Sequence, residues 1–173
     1  LFKISSGEVT NLTFLKYIAK KGKPVILSTG MSSIEEVGQA VQAITDSGCK
    51  DLVLLHCVSL YPAQPMDANL KAMQTMASKF RVPFGYSDHT LGIEVGLAAV
   101  AMGACVLEKH LTLDRTMSGP DHSCSSELCE FAMLVRGVRK VEQAMGHGSK
   151  EPVSGEMETA SVARKSLVAI CFI

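Results

Sequence analysis

Residues 82–114 read VPFGYSDHTLGIEVGLAAVAMGACVLEKHLTLD. Two strand-like runs, Phe84–Ser87 and Val106–His110, each lead into a polar cluster, and the clusters carry His89 and His110. An apolar or Gly-containing run that ends in polar residues is the pattern of a buried parallel strand whose carboxyl end opens into a site. The 21 positions from His89 to His110 are too many for a hairpin and suit a strand, a crossover helix and the next strand. The intervening Ile93–Met102 is rich in small residues and suits a helix packed closely on a sheet.

The same alternation extends outward from this unit. Further strands are expected at Phe2–Ser6, Val25–Thr29 and Leu52–Cys57, with helices between them. Asn11–Lys20 places Leu12, Leu15, Ile18 and Ala19 on one face. Ser33–Ser47 opens with Ser33 and Glu36 in capping-box spacing, carries Val37, Val41 and Ile44 on one stripe, and meets Gly48 as a left-handed stop. Asn69 is placed to cap a third helix bearing Leu70, Met73, Ala77 and Phe80. Ser126–Met145 is expected as a long helix with Phe131, Leu134, Val135, Val138 and Val141 inward and Arg136, Arg139 and Lys140 outward, ended by Gly146.

Five βα units with continuous apolar strands and no hairpin signal specify a parallel α/β sheet. An open doubly wound sheet and part of an eightfold barrel both satisfy that pattern. No GxGxxG or GxxxxGK[ST] follows the first strand, which counts against a nucleotide-binding open sheet. Polar clusters end every strand, which favours a TIM-barrel arrangement. Residues 1–146 are therefore read as a partial barrel domain and 147–165, rich in Gly, Glu and Ser, as a linker. Residues 166–173 then start another unit with a strand. The chain starts at Leu1 in one strand-like run and stops at Ile173 in an apolar one, so it is expected to be part of a longer protein.

The bulk numbers narrow the function. Lys+Arg and Asp+Glu are both 17 in 173 residues, so no global charge attracts nucleic acid or anionic lipid. Aromatic residues make up 5% and Trp is absent, which weakens a base-stacking reading. No signal peptide or membrane span is legible. The six cysteines form no C-x-x-C pair and sit mostly in apolar segments, so buried thiols in a reducing cytoplasm are expected.

The strand ends collect Lys3, Ser6, Glu8, Ser28, Thr29, Ser59, Tyr61, Ser87, Asp88, His89, Glu108, Lys109 and His110, with Asp121 in the following loop. Hydroxyls, backbone amides and a lysine converging at one mouth make a phosphate or carboxylate site. Two neutral imidazoles beside them can hold a divalent cation. Together they suggest a phosphorylated substrate reacting with a polarised carbonyl. Plainer readings exist for each. A lone strand-end His is more often a hydrogen-bonded core residue, a strand-end Ser a turn residue, and Cys57 a buried strand thiol rather than a ligand. Glu108 neutralises Lys109 or orients an imidazole. Other readings are a metal-dependent aldolase working without a phosphorylated donor and a non-catalytic remnant acting as an interaction protein.

The ordered motifs KISSGE, PVILSTGM, LLHCVSLYPAQPMDANL, GYSDHTLGIE, LEKHLTLDRTMSGPDH and RKSLVA resemble the sialic acid synthase family, the N-acetylneuraminate synthases with their legionaminic and pseudaminic acid relatives. The resemblance covers nearly the whole chain. It implies a (β/α)8 barrel followed by a small antifreeze-like domain, in a homodimer. The implied reaction condenses phosphoenolpyruvate with an N-acetylmannosamine-type sugar, giving phosphate and a nine-carbon 2-keto sugar acid. By position, His89 and His110 match the ligands of a divalent cation, manganese. Lys3, Ser6, Ser28 and Ser87 match phosphoenolpyruvate-binding residues, and Ser59 stands where some members carry Asn. Glu8, Tyr61 and Asp121 match sugar contacts, with Glu8 and Asp121 as the acidic groups for catalysis. On this resemblance the chain lacks the first three βα units and most of the antifreeze-like domain, and by itself it is expected to turn over little or no substrate.

Overall fold

The computed structural model describes residues 1–164. Five parallel strands form one sheet in sequential order: β1 (Phe2–Ile4), β2 (Val25–Ser28), β3 (Leu52–Cys57), β4 (Phe84–Asp88) and β5 (Leu107–Lys109). The crossovers are helices α1 (Leu12–Ala19), α2 (Ile34–Asp46), α3 (Lys71–Phe80) and α4 (Glu94–Ala101). Two short parallel strands, β6 (Leu111–Thr112) and β7 (Ser126–Glu127), then lead into α5 (Leu128–Met145) and α6 (Glu156–Ala163).

Side-chain alternation divides every strand between two environments. Val25, Leu27, Leu52 and Leu54 point to the helix layer and form the main core with Leu15, Ile18, Val37 and Ile44. Burying a Leu or Ile side chain in this way contributes about 1.5–3 kcal/mol. Tyr86 anchors a second cluster with Met73 and Ala99. The register partners on the other face run Ser28↔Leu55, Cys57↔Ser87 and Ser87↔Glu108.

That second face is concave. Four inter-strand steps of ~4.8 Å would put β1 and β5 about 19 Å apart in a flat sheet. Lys3 Nζ on β1 nevertheless lies 3.3 Å from Glu108 Oε1 on β5. The sheet is curled, and side chains from its two edges meet across the hollow, as in an arc of a barrel.

Local signals behave as their chemistry requires. The capping box at Ser33 and Glu36 is formed in both directions, and Gly48 ends α2 at φ +95°. Asn69 does not cap α3. It stands at φ +40°, in the left-handed region that Asn tolerates, after a 3-10 turn at Pro65–Asp67, and the cap position falls to Leu70 with no side-chain bond. Strand β1 stops at Ile4 because Ser6–Glu8 turns into a 3-10 helix. Helix α5 begins at Leu128 because Ser126 and Glu127 pair with β6.

Val135, expected inward, is 43% exposed beside a groove lined by Val100, Leu107, Phe131 and Val138. Within the segment expected as a linker, 147–165, the described residues contain α6, none of whose residues is buried. The strand expected at 166–173 lies outside the described residues. Cys49, Cys57 and Cys124 are buried thiols, whereas Cys105 and Cys129 are exposed. No helix among the described residues is long and apolar enough to cross a membrane.

Candidate active site

The concave face gathers its polar side chains at the carboxyl ends of the strands. Gly30, just past β2, is the point of closest approach. Its N–H donates to Ser6 Oγ at 2.9 Å, and Ser6 Oγ lies 3.2 Å from Cys57 Sγ. A Cβ added at Gly30 would press on Ser59 Oγ and stand 2.9 Å from Cys57 Sγ and 3.0 Å from Ser6 Oγ. A side chain at this position would fill the space that the small polar groups surround.

Ser28 Oγ is buried without a hydrogen-bond partner among the described residues. Leaving such a group unpaired costs about 1–3 kcal/mol. Lys3 completes the cationic side of the cradle. Its ammonium is engaged by Glu108, which also accepts a 2.7 Å hydrogen bond from Ser87 Oγ.

The two imidazoles meet beside this cradle. The His89 and His110 ring centroids are 5.3 Å apart, with the planes at 74°. His89 Nδ1 donates to Val58 O at 2.7 Å, since a carbonyl can only accept. Burial holds the His89 pKa below its ordinary value, against the Val58 carbonyl and with help from neighbouring His110. The neutral ring therefore carries its lone pair on Nε2, the arrangement in which a histidine ligates a metal. Ser87 Oγ stands 3.5 Å from that nitrogen.

Tyr61 packs on both rings, with centroids 4.4 Å from His89 and 5.7 Å from His110. Burial, then the nearby Cys57, Asp121 and Cys124, push its phenol pKa up, against a hydrogen bond with Ser59. Asp121 Oδ2 lies 3.9 Å from His110 Nδ1. Glu8 is in the turn after β1 and accepts a 2.8 Å hydrogen bond from Asn11 Nδ2.

The structure thus joins Ser6, Ser59 and Cys57 around Gly30, Lys3 and Ser87 through Glu108, and His89, His110, Tyr61 and Asp121 at the imidazole pair. The expectation that Glu108 neutralises Lys109 is overturned. Adjacent strand residues point to opposite faces, so Glu108 faces the hollow while Lys109 pairs with Asp88 on the helix side at 2.8 Å. That alternation was available in the sequence, as was the turn-forming Gly30 of the STGM segment.

His89 and His110 are the residues that would hold a divalent cation. No group of three or more His, Cys, Asp or Glu able to hold a metal exists among the described residues. Two imidazoles would fill part of a coordination shell and leave positions open, as a catalytic rather than a structural centre requires.

Comparison with known proteins identifies the family. The NeuB family profile matches residues 1–150. The chain is 50% identical over 171 residues to the N,N'-diacetyllegionaminic acid synthase of Campylobacter jejuni, covering 98% of this chain and 51% of that protein. It is 44% identical over 169 residues to the N-acetylneuraminate-9-phosphate synthase of Mus musculus, covering 97% and 47%. The chain spans about half the length of these curated relatives. Among solved structures, the N-acetylneuraminic acid synthetase of Leptospira borgpetersenii superposes with a TM-score of 0.83 at 45% identity, over 94% of this chain and 58% of that one. A truncated 3-deoxy-D-arabino-heptulosonate 7-phosphate synthase from Thermotoga maritima, at 22% identity and TM-score 0.73, shares the fold. A curled parallel sheet, a serine-lined hollow with two imidazoles at its mouth, and sequence identity across nearly the whole length lead to one conclusion: this chain belongs to the NeuB family.

Proposed function

We propose that the protein containing this chain is a C–C bond-forming synthase that condenses phosphoenolpyruvate with an N-acetylmannosamine-type amino sugar. The carrying observation is the juxtaposition of an unpaired buried hydroxyl, Ser28, and the Gly30 cradle with two imidazoles at 5.3 Å. Names of relatives in the family point the same way.

Lys3, Ser6, Ser28, Ser59 and Ser87 hold the phosphate and carboxylate of phosphoenolpyruvate. Charge-assisted hydrogen bonds from small side chains suit this because they let the ligand reach main-chain N–H groups. Lys3 passes from Glu108 to the ligand when the anion enters. His89 and His110 would hold a divalent cation, manganese, which when bound supplies Lewis-acid polarisation to a carbonyl. Tyr61, Glu8 and Asp121 orient the sugar, and Glu8 and Asp121 are assigned the proton handling.

The reaction balances as follows. The enol carbon of phosphoenolpyruvate forms a bond to the sugar's aldehyde carbon, and the aldehyde oxygen takes a proton. Water adds to the carbon that bears the phosphate, that carbon's bond to the phosphate oxygen breaks and the water oxygen becomes the keto oxygen, one water proton going to the aldehyde oxygen and the other leaving with the phosphate. The products are inorganic phosphate and the 2-keto acid. Holding the two carbons at near-attack distance contributes several kcal/mol, about 7–11 at the upper limit. The proposal includes a homodimer in the full-length protein and a cytoplasmic setting, which accords with the free thiols.

The test is phosphate release by the full-length protein with phosphoenolpyruvate, Mn2+ and N-acetylmannosamine. His89→Ala and His110→Ala should each abolish metal-dependent release while leaving the thermal midpoint near the parent's. Full activity of the double variant in chelator overturns the assignment. Pyruvate serves as the control donor. A thermal shift with pyruvate equal to that with phosphoenolpyruvate would favour an aldolase.

A further inference from the structure

Behind the imidazole pair, on the helix side of the sheet, lies a second charged cluster that the proposed chemistry does not use. Asp88 and Lys109 are register partners on β4 and β5. Their side chains are 0% and 2% exposed, and Lys109 Nζ lies 2.8 Å from Asp88 Oδ2. The same ammonium donates to Thr90 O at 2.7 Å. Asp88 Oδ1 accepts from Thr90 N at 2.9 Å and from Thr90 Oγ1 at 2.7 Å, and Thr90 is fully buried. Gly96 on α4 makes the room, since a Cβ there would reach 3.4 Å from Asp88 Oδ2 and 3.3 Å from Leu107 and Leu134.

Stability does not account for the cluster. Removing two charges from water costs several kcal/mol per ion, and well-packed apolar residues often serve the fold as well or better. Its connectivity offers a different account. Asp88 immediately precedes His89, and Lys109 immediately precedes His110. Thr90 follows His89, so His89 sits between two anchored residues. Its own carbonyl accepts from Ala63 N at 2.9 Å. Because successive side chains alternate, a clamp on the helix face fixes where the imidazoles stand on the other.

The geometry points to Asp88, Lys109 and Thr90 as positioning residues that set the separation of the His89 and His110 rings, and thereby the affinity for a divalent cation. They act through the backbone and through the strand pairing, without touching the cation. The inference rests on reading the histidines as a metal pair, and the experiment separates the two.

Mn2+ is titrated into the full-length protein and the free ion is followed by electron paramagnetic resonance. Phosphoenolpyruvate binding is measured separately in chelator by calorimetry. The variants are Asp88→Asn/Lys109→Met, which leaves no unpaired buried charge, and Thr90→Val, which keeps the shape and removes one bond of the clamp. The double variant should bind Mn2+ about 10- to 100-fold more weakly, Thr90→Val several-fold more weakly, and both should bind phosphoenolpyruvate as the parent does. If the parent binds no Mn2+, or binds it equally after His89→Ala, the metal reading falls and the clamp with it. If the parent binds Mn2+ through His89 and the double variant matches it, the clamp alone is overturned. Should the double variant fail to fold, Thr90→Val with parental Mn2+ affinity overturns it. Parallel losses for Mn2+ and phosphoenolpyruvate would mark general loosening and refute a positioning role.

Discussion

Replacing Ser28 by Ala should make the protein more stable and a worse binder. Ser28 is 3% exposed and its hydroxyl has no partner among the described residues. The fold therefore carries an unmet buried polar group, at a cost of about 1–3 kcal/mol. Alanine removes one oxygen and leaves no cavity of consequence, so a gain of about 1 kcal/mol is expected without ligand. That corresponds to about 2–4 °C in thermal midpoint for a domain of 150–250 residues. With phosphoenolpyruvate the ordering reverses. A hydrogen bond to a charged group contributes about 1.5–3 kcal/mol, so the variant should bind on the order of ten to a hundred times more weakly. At a concentration of a hundred times the parental Kd, ligand stabilisation is about 2.7 kcal/mol for the parent and falls to between about 0.4 and 1.4 kcal/mol for the variant. Thermal melts of the full-length protein with and without phosphoenolpyruvate read both quantities. A variant that melts lower without ligand, or that keeps the parental ligand shift, refutes the view that Ser28 is held unpaired for an incoming anion.

Gly30→Ala should leave the fold standing, because the atoms a Cβ would meet are the ends of Ser59, Cys57 and Ser6. It should abolish phosphoenolpyruvate binding by calorimetry, and undiminished binding would remove Gly30 from the cradle. His56 tests the helix side. Burial lowers its pKa, opposed by the Ala68 carbonyl that Nε2 meets at 2.9 Å. The unfolded chain therefore takes up a proton near pH 6.5 before the folded one does, and stability is lost as pH falls through that range. His56→Gln should flatten the decline between pH 7 and 5 in denaturant titrations, and an unchanged slope would show that His56 is not its source.

Much of this architecture could be read from residue order. Continuous apolar runs ending in polar clusters located the five strands, and the Ser33 and Glu36 spacing located a helix start to the residue. The 21-residue spacing of the histidines suits a βα unit, and their ring centroids lie 5.3 Å apart. What escaped depends on partners distant in sequence. That Lys109 turns to Asp88 and Glu108 to Lys3 follows from register and curl, which no local window contains. At Asn69 the same side chain suits a cap and a left-handed turn, and the preceding 3-10 turn decides between them. Helix α6 lacks a buried face, so no periodicity marks it. Val135 sits at helical spacing with its apolar neighbours but at the open side of the groove.

The division of each strand between a helix-facing and a hollow-facing row has an evolutionary corollary. Leu27 and Leu54 answer to the scaffold, whereas Ser28 and Ser87 answer to whatever enters the hollow. A change in the second row leaves the first undisturbed, so a lineage can alter what the hollow accepts by rewriting a handful of codons, with no renegotiation of the framework that carries them.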